Sequence, residues 1–199
     1  MDRFDLAWAG VILAGISAAW YIRTIFWGTT RPHRITWGVW SLIGLLGVGS
    51  AIEGGAHAGA YVALFFLCEQ IFIFLVSLTK KYGKPGGESY DYPLGLVAVV
   101  AIILWRVADL PPGFAAVVAI SADAIVLWFT LRESWRQPKT ESLGAWSLAG
   151  LASAFGLAAS SNFSFAAIAY PAYLIFGNLS VAVSLGVRRW QHRASNKPV

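Results

Sequence analysis

The chain has 199 residues, of which 57% are hydrophobic and 13% charged, with a mean hydropathy of +0.62. A soluble domain has roughly a quarter of its residues charged and could not bury so much apolar surface at this length, so the composition predicts an integral membrane protein. The length excludes a large extramembrane module, and Cys68, as the single cysteine, excludes an intramolecular disulfide and a cysteine metal cluster. We interpret the net charge of +5 as a membrane topology signal and expect no nucleic-acid partner.

Seven apolar runs, separated by polar or Gly/Pro-rich breaks, predict seven transmembrane helices. In chain order they cover 4–27, 35–54, 57–79, 92–109, 112–134, 142–160 and 163–187. The start of the chain is acidic and lacks a small-residue cleavage site, which predicts a retained first span and not a signal peptide.

The basic residues are segregated in a way that agrees with seven spans. The segments 28–34, 80–91 and 132–141 and the tail after 187 hold 12 of the 15 basic residues, and these segments share one side of the membrane if there are seven spans. The positive-inside rule then places the amino terminus outside and the carboxyl terminus in the cytoplasm, in an inner or plasma membrane.

The chain contains an internal repeat at an offset of 106 residues. Segment 32–45 aligns with 138–151, with seven identical residues in 14, including a shared Pro and a shared Trp-Ser pair. The offset relates spans 1, 2 and 3 to spans 5, 6 and 7 and leaves span 4 as a linker, so both halves enter the membrane in the same direction.

These observations predict an all-α membrane protein made of two parallel triple-helix bundles joined by a linker helix. The first bundle is 1–82, the polar loop with linker span 4 is 83–110, the second bundle is 111–190, and 191–199 is a basic cytoplasmic tail.

Two acidic residues lie near the middle of predicted spans, where a charge costs several kcal/mol unless water or a partner meets it. Glu69 and Asp123 therefore predict a solute-binding or proton-coupling pair in a wet cavity; the alternative is that they fix helix packing through hydrogen bonds. Asp123 is the first choice for proton coupling because its repeat mate is Ser17, so symmetry does not require an acid there. Glu69 is the second.

Two amide side chains and two tryptophans complete the candidate site. Gln70 and Asn178 lie near equivalent places in spans 3 and 7 if a two-residue slip is allowed, and they offer hydrogen bonds to a solute or to a neighbouring helix. Trp40 and Trp146 are repeat mates about two turns into spans 2 and 6, which predicts helix packing or a cytoplasmic gate.

In topology, length and repeat spacing the chain resembles the SWEET and PQ-loop superfamily, whose full-length members have three plus one plus three spans. Asn178, within Tyr170-Pro171-Ala172-Tyr173-Leu174-Ile175-Phe176-Gly177-Asn178, resembles the third-helix Asn that binds solute in the family. The Pro-Gln pair that names the PQ-loop group is absent, as are the hinge prolines that family members carry inside spans 1, 2, 5 and 6.

The resemblance and the midplane residues predict a carrier of a small polar or aromatic solute, such as a sugar, nucleoside or vitamin, with proton linkage as a further expectation. The alternative is a non-transporting receptor or scaffold subunit, because relatives with this fold include a cargo receptor. We expect no enzymatic activity, no cofactor and no metal site, since the three histidines are scattered and Cys68 has no evident partner. The expected partners are the solute and membrane lipid, with a second copy of the chain as a further candidate.

Overall fold

A computed structural model describes residues 2–84, 93, 96, 99, 100, 102–104 and 107–195. Of these, residues 193–195 are described by their backbone only. The elements with fully described bounds are α1 Arg3–Phe26, α2 Arg34–Glu53, the 3₁₀ turn His57–Gly59, α3 Ala60–Ser77, α4 Pro112–Arg136, α5 Leu143–Ala158 and α6 Phe165–Ser195. The described residues between 93 and 107 are also helical. The all-α prediction is confirmed for these residues.

Five helical segments within the described residues are long and apolar enough to cross a membrane. They are Arg3–Phe26, Arg34–Glu53, His57–Ser77, Pro112–Arg136 and Phe165–His192. Helix α5 is apolar but has 16 residues, which gives about 24 Å against a hydrocarbon core of about 30 Å. The membrane class is thus supported by five helices, and the count of seven spans stays a prediction.

The largest difference between the helix bounds and the predicted spans lies at the carboxyl end of the last helix. The predicted end of the last span at 187 is wrong as a helix end, since α6 continues to Ser195. Segment 188–195 contains no Gly or Pro, and its basic residues favour the negative end of the helix dipole. The predicted tail 191–199 is therefore helical as far as 195. Most of linker span 92–109, and residues 196–199, lie outside the described residues.

The helix starts are determined by local chemistry. Asp2 and Asp5 form a reciprocal capping box at α1, and the Ser142 side chain accepts from the Ala145 N–H at the start of α5. Pro112 occupies the first turn of α4, where its missing N–H costs no hydrogen bond.

Helix α1 has small residues on its inner face and large ones on its outer face. Ala7, Gly10, Ala14, Ser17 and Ala18 are buried against the bundle. On the other side the exposed apolar residues recur every four positions, at Phe4, Trp8, Ile12, Ile16 and Trp20. This arrangement suits a helix with lipid on one side and close packing on the other.

The helices pack in a closed arrangement. Helix α1 contacts α3 and α5, while α2 contacts α3, α4 and α6. Helix α6 also contacts α4 and α5, and α3 reaches α5. The main core therefore lies between residues far apart in sequence, with Ile43 and Leu46 of α2 fully buried near Tyr170 of α6.

The bundle has two chemically different ends. We call the end formed by 27–33, 78–84, 137–142 and 186–195 the basic end, and there Arg34 Nε donates to the Ser77 carbonyl at 2.7 Å.

The opposite end comprises 54–59, 109–111 and 159–164 and is closed by contacts between distant segments. Asn162 Nδ2 donates to the Gly54 carbonyl at 2.8 Å, and Ser161 N donates to the Ala56 carbonyl at 3.2 Å. A Cβ at Gly54 would lie 2.6 Å from Ala167 N, so glycine permits this approach.

Candidate functional site

A cavity of about 80 Å³ lies among all six α-helices. Its wall combines large aromatic rings, small residues of α1 and α5, and a few polar side chains. The lining residues with polar or aromatic side chains are Ser17, Tyr21, Trp37, Trp40, Phe66, Glu69, Gln70, Asp123, Trp146, Tyr173 and Asn178. Such a mixture is typical of a site for a small molecule.

The structure brings the four predicted binding residues to this single cavity. Glu69 and Gln70 come from α3, Asp123 from α4 and Asn178 from α6. Asn178 Nδ2 donates to the Leu174 carbonyl one turn earlier in its own helix, at 2.7 Å. All four residues thus line one cavity, and their binding roles stay predictions.

Asp123 is held by an indole from the other half of the chain. Its side chain is buried, with 7% of the residue exposed, and Trp40 Nε1 donates to its Oδ1 at 2.8 Å. The bond joins α4 to α2 and fixes both the carboxylate and the ring. A hydrogen bond to an ionised carboxylate is stronger than one between neutral groups. This contact links the predicted coupling residue to the predicted gate.

Trp40 and Trp146 belong to a layer of four aromatic side chains in tilted or edge-to-face contact. Ring centroids lie 5.3 Å apart for Tyr21 and Trp37, 5.1 Å for Trp37 and Trp40, and 6.1 Å for Trp40 and Trp146. All four side chains line the central cavity and also a second cavity at the basic end. The layer therefore forms a wall common to both.

The second cavity, which we call the vestibule, has a volume of about 370 Å³ and is strongly charged. Its ionisable lining residues are Arg31, His33, Lys84, Arg132, Glu133, Arg136 and Glu141. Lys84 Nζ lies 3.9 Å from Glu133 Oε1, which joins the start of the polar loop after α3 to α4. The vestibule thus differs from the central cavity in carrying an excess of positive charge.

Glu141 is a residue at this wall that the sequence analysis missed. Trp146 Nε1 donates to its Oε2 at 3.1 Å, so each tryptophan of the predicted gate bonds to one carboxylate. Burial raises the pKa of Glu141 to about 7, while the Trp146 hydrogen bond and the charge of Lys84 act in the lowering direction. The available signal was an acid directly before predicted span 142–160, at the end of a loop with three basic residues.

Tyr173 was also missed. Its hydroxyl oxygen and Gln70 Oε1 are buried and have no hydrogen-bond partner among the described residues. Both side chains line the central cavity. The available signal was the position of Tyr173 near the middle of predicted span 163–187, away from both membrane interfaces.

In the described part of the chain, no three His, Cys, Asp or Glu side chains are grouped so that they could hold a metal ion. Cys68 is exposed on α3 as a free thiol. The chemistry available at the site is therefore hydrogen bonding, carboxylate charge and aromatic stacking.

Comparison of the chain with protein-family models, with curated proteins and with solved structures gives no match.

Proposed function

We propose that the protein is a membrane carrier for a small polar or aromatic solute, of the sugar, nucleoside or vitamin class. The observation that carries the proposal is the convergence of Glu69, Gln70, Asp123 and Asn178 on one cavity between helices far apart in sequence. A carrier needs such a site at membrane depth, together with walls that can open in turn towards each side. The aromatic layer would be the wall towards the basic end.

The two halves would form parallel triple-helix bundles of the SWEET and PQ-loop type. Exchanging α1, α2 and α3 with α4, α5 and α6 converts each major helix contact into another: α1 with α5 becomes α4 with α2, and α2 with α3 becomes α5 with α6. The repeat mates Trp40 and Trp146 contact each other directly, as residues close to a twofold axis do. These relations support the repeat and its two-bundle arrangement.

The basic end would face the cytoplasm, because it gathers the charged loops that the positive-inside rule retains there. Single cysteines at Asp2 and Ser195, in a Cys68→Ser background, test this with a membrane-impermeant thiol reagent. We expect labelling of position 2 from outside and of position 195 after permeabilisation only. Labelling of both positions from one side would contradict the topology.

Transport itself is tested by flux into liposomes that contain the purified protein. We expect saturable uptake of at least one member of a panel of sugars, nucleosides and vitamins, and loss of uptake in Asn178→Ala. A matched control is Gln137→Ala, which removes an exposed amide that lines neither cavity. Saturable binding without flux for the whole panel would contradict the carrier.

Proton linkage would reside first in Asp123 and second in Glu69. If Asp123 couples protons to solute, Asp123→Asn retains folding and removes the pH dependence of uptake. If it only joins α4 to Trp40, the variant has reduced thermal stability and an unchanged pH profile. Wild-type behaviour in both measurements would end the proton-linked version of the proposal.

The second candidate function is a non-transporting receptor or scaffold subunit. It is favoured by the close closure of the opposite end, where the Gly59 backbone packs against Gly156 and Ser160. It is also favoured by the lack of proline in α1, α2 and α5, and in α4 beyond its first turn. Solute binding without flux would select this function.

A further inference from the structure

The central cavity is lined by two acidic side chains and by no basic one. Glu69 and Asp123 are its ionisable acids, and none of its lining residues is Lys, Arg or His. The basic side chains of this region lie instead in the vestibule, beyond the aromatic layer. A charge of one sign inside low-dielectric walls attracts ligands of the opposite sign.

The same cavity offers aromatic faces on several sides. Trp40 and Trp146 meet edge to face with centroids 6.1 Å apart, and Tyr21, Trp37 and Tyr173 line the space with them. Aromatic rings attract ammonium groups through their negative faces, and Trp does so most strongly. Aromatic rings from α1, α2, α5 and α6 thus lie around the same cavity as the carboxyl groups of Glu69 and Asp123. This combination is common in sites that bind organic cations.

The polar atoms left without partners are mainly hydrogen-bond acceptors. Gln70 Oε1 is buried and accepts no hydrogen bond among the described residues. Within the same part of the chain, no hydrogen bond or ion pair involves the Glu69 carboxylate. Tyr173 Oη is buried and unpaired as well. A buried acceptor is costly until a donor reaches it, so the expected ligand brings N–H or O–H groups.

We infer that the solute is a small organic cation, a primary amine or quaternary ammonium carried on a polar or aromatic body. This rests on the proposed solute-binding cavity and selects one charge class within the carrier's solutes. When Glu69 and Asp123 are ionised, a neutral solute leaves their charges unbalanced and an anion is repelled by them. The cationic group would lie between the carboxylates and the rings of Trp40 and Trp146.

The first test compares isosteres that differ in charge, using the wild-type protein in lipid nanodiscs and calorimetric binding. The pairs are choline with 3,3-dimethylbutan-1-ol, and tyramine with 4-(2-hydroxyethyl)phenol. We expect the cation of at least one pair to bind tenfold or more tightly than its neutral isostere. Equal affinities in both pairs, a preference for the neutral member, or no binding by any of the four would overturn the inference.

The second test removes each carboxylate without changing its shape. Glu69→Gln and Asp123→Asn should each weaken binding of the preferred cation at least tenfold and leave that of its neutral isostere within twofold. Glu53→Gln, an identical change at the exposed end of α2, should leave both unchanged. If both cavity variants bind the cation as wild type does, the carboxylates do not recognise it and the inference fails.

The outcomes separate this inference from the carrier proposal. Cation-selective binding without flux retains the inference and contradicts the carrier. Saturable flux of a neutral solute with no preference in either isostere pair retains the carrier and contradicts the inference.

Discussion

The Glu141 carboxylate gives a residue-level link between pH and stability. Its pKa rises from 4.5 in the unfolded chain to about 7 in the folded protein, chiefly through burial. The folded state therefore binds more protons than the unfolded state between these values, so the free energy of unfolding falls as pH rises through that window.

We expect Glu141→Gln to remove this dependence. Relative to the variant, the wild-type protein should lose on the order of 1–3 kcal/mol of stability between about pH 5 and pH 8, because one pKa unit corresponds to about 1.4 kcal/mol. Thermal unfolding in detergent at the two pH values measures the difference. Glu53→Gln serves as the control for an exposed carboxylate, and parallel pH profiles for wild type and Glu141→Gln would contradict the prediction.

Gly47 is a second residue on which the packing depends. A Cβ at this position would overlap the ring of Tyr170, which is 2% exposed and cannot move aside. Gly47→Ala should therefore destabilise the protein by about 1–3 kcal/mol, as overpacking does. Gly186→Ala is the matched control, since no atom lies within 4 Å of its added Cβ, and it should be neutral or stabilising by about 0.5–1 kcal/mol. Equal melting temperatures for the two variants would contradict the packing role of Gly47.

At the scale of elements, the extension of α6 holds the loop that carries Glu141. Arg189 Nε donates to the Pro138 carbonyl at 2.9 Å, and its Nη2 donates to the Glu141 carbonyl at 2.5 Å. A guanidinium makes these two bonds with one rigid fork, which an ammonium lacks.

Arg189→Lys should therefore retain the positive charge and lose the two hydrogen bonds that hold the loop 137–142. We expect a loss of about 1–3 kcal/mol of stability, together with faster amide hydrogen exchange in 137–142. Lys139→Ala removes a charge from the same loop at an exposed position, and it should change neither measurement. Unchanged exchange in Arg189→Lys would show that other contacts hold the loop.

Hydropathy predicted the positions of the helices with small errors where polar caps or glycine turns fix the helix ends. Predicted spans 4–27 and 35–54 differ by one residue at each end from α1 and α2, because polar caps and glycine turns interrupt the apolar runs there. The end of α6 was predicted wrongly because hydropathy detects the edge of the membrane, whereas a basic segment without Gly or Pro continues a helix into water.

At the scale of the whole molecule, the prediction of the site depended on depth. Polar residues in the middle of apolar runs are few, and bundle packing brings residues at similar depth towards one interior, so Glu69, Gln70, Asp123 and Asn178 could be grouped from sequence. The bond between Trp40 and Asp123, and the position of Glu141 beside Trp146, depend on the rotation of each helix and the path of a loop. The seven identical residues of the internal repeat specify neither the rotation of a helix nor the path of a loop.

The closure of the opposite end gives a whole-molecule prediction for the carrier. Ser161 N and the Ala56 carbonyl oxygen are 3.2 Å apart and belong to the two different halves. Ala56→Cys with Ser161→Cys, in a Cys68→Ser background, should form a disulfide that prevents this end from opening. We expect oxidation to lower solute flux at least tenfold, with recovery on reduction, whereas the single-cysteine variants respond to neither treatment. Full flux in the cross-linked protein would show that this end stays closed during transport.

The two faces of α1 imply two different rules of substitution along a single helix. Ala7, Gly10 and Ala14 are limited by volume, so a larger side chain is excluded there even when it is apolar. Trp8, Ile12 and Ile16 are limited by transfer into lipid, so any apolar side chain is acceptable and a charged one is not. In a saturation scan for correctly inserted protein, positions limited by side-chain volume should therefore alternate with positions limited by side-chain polarity, with the period of the helix. The second set would map the lipid boundary of the molecule without a measurement of its structure.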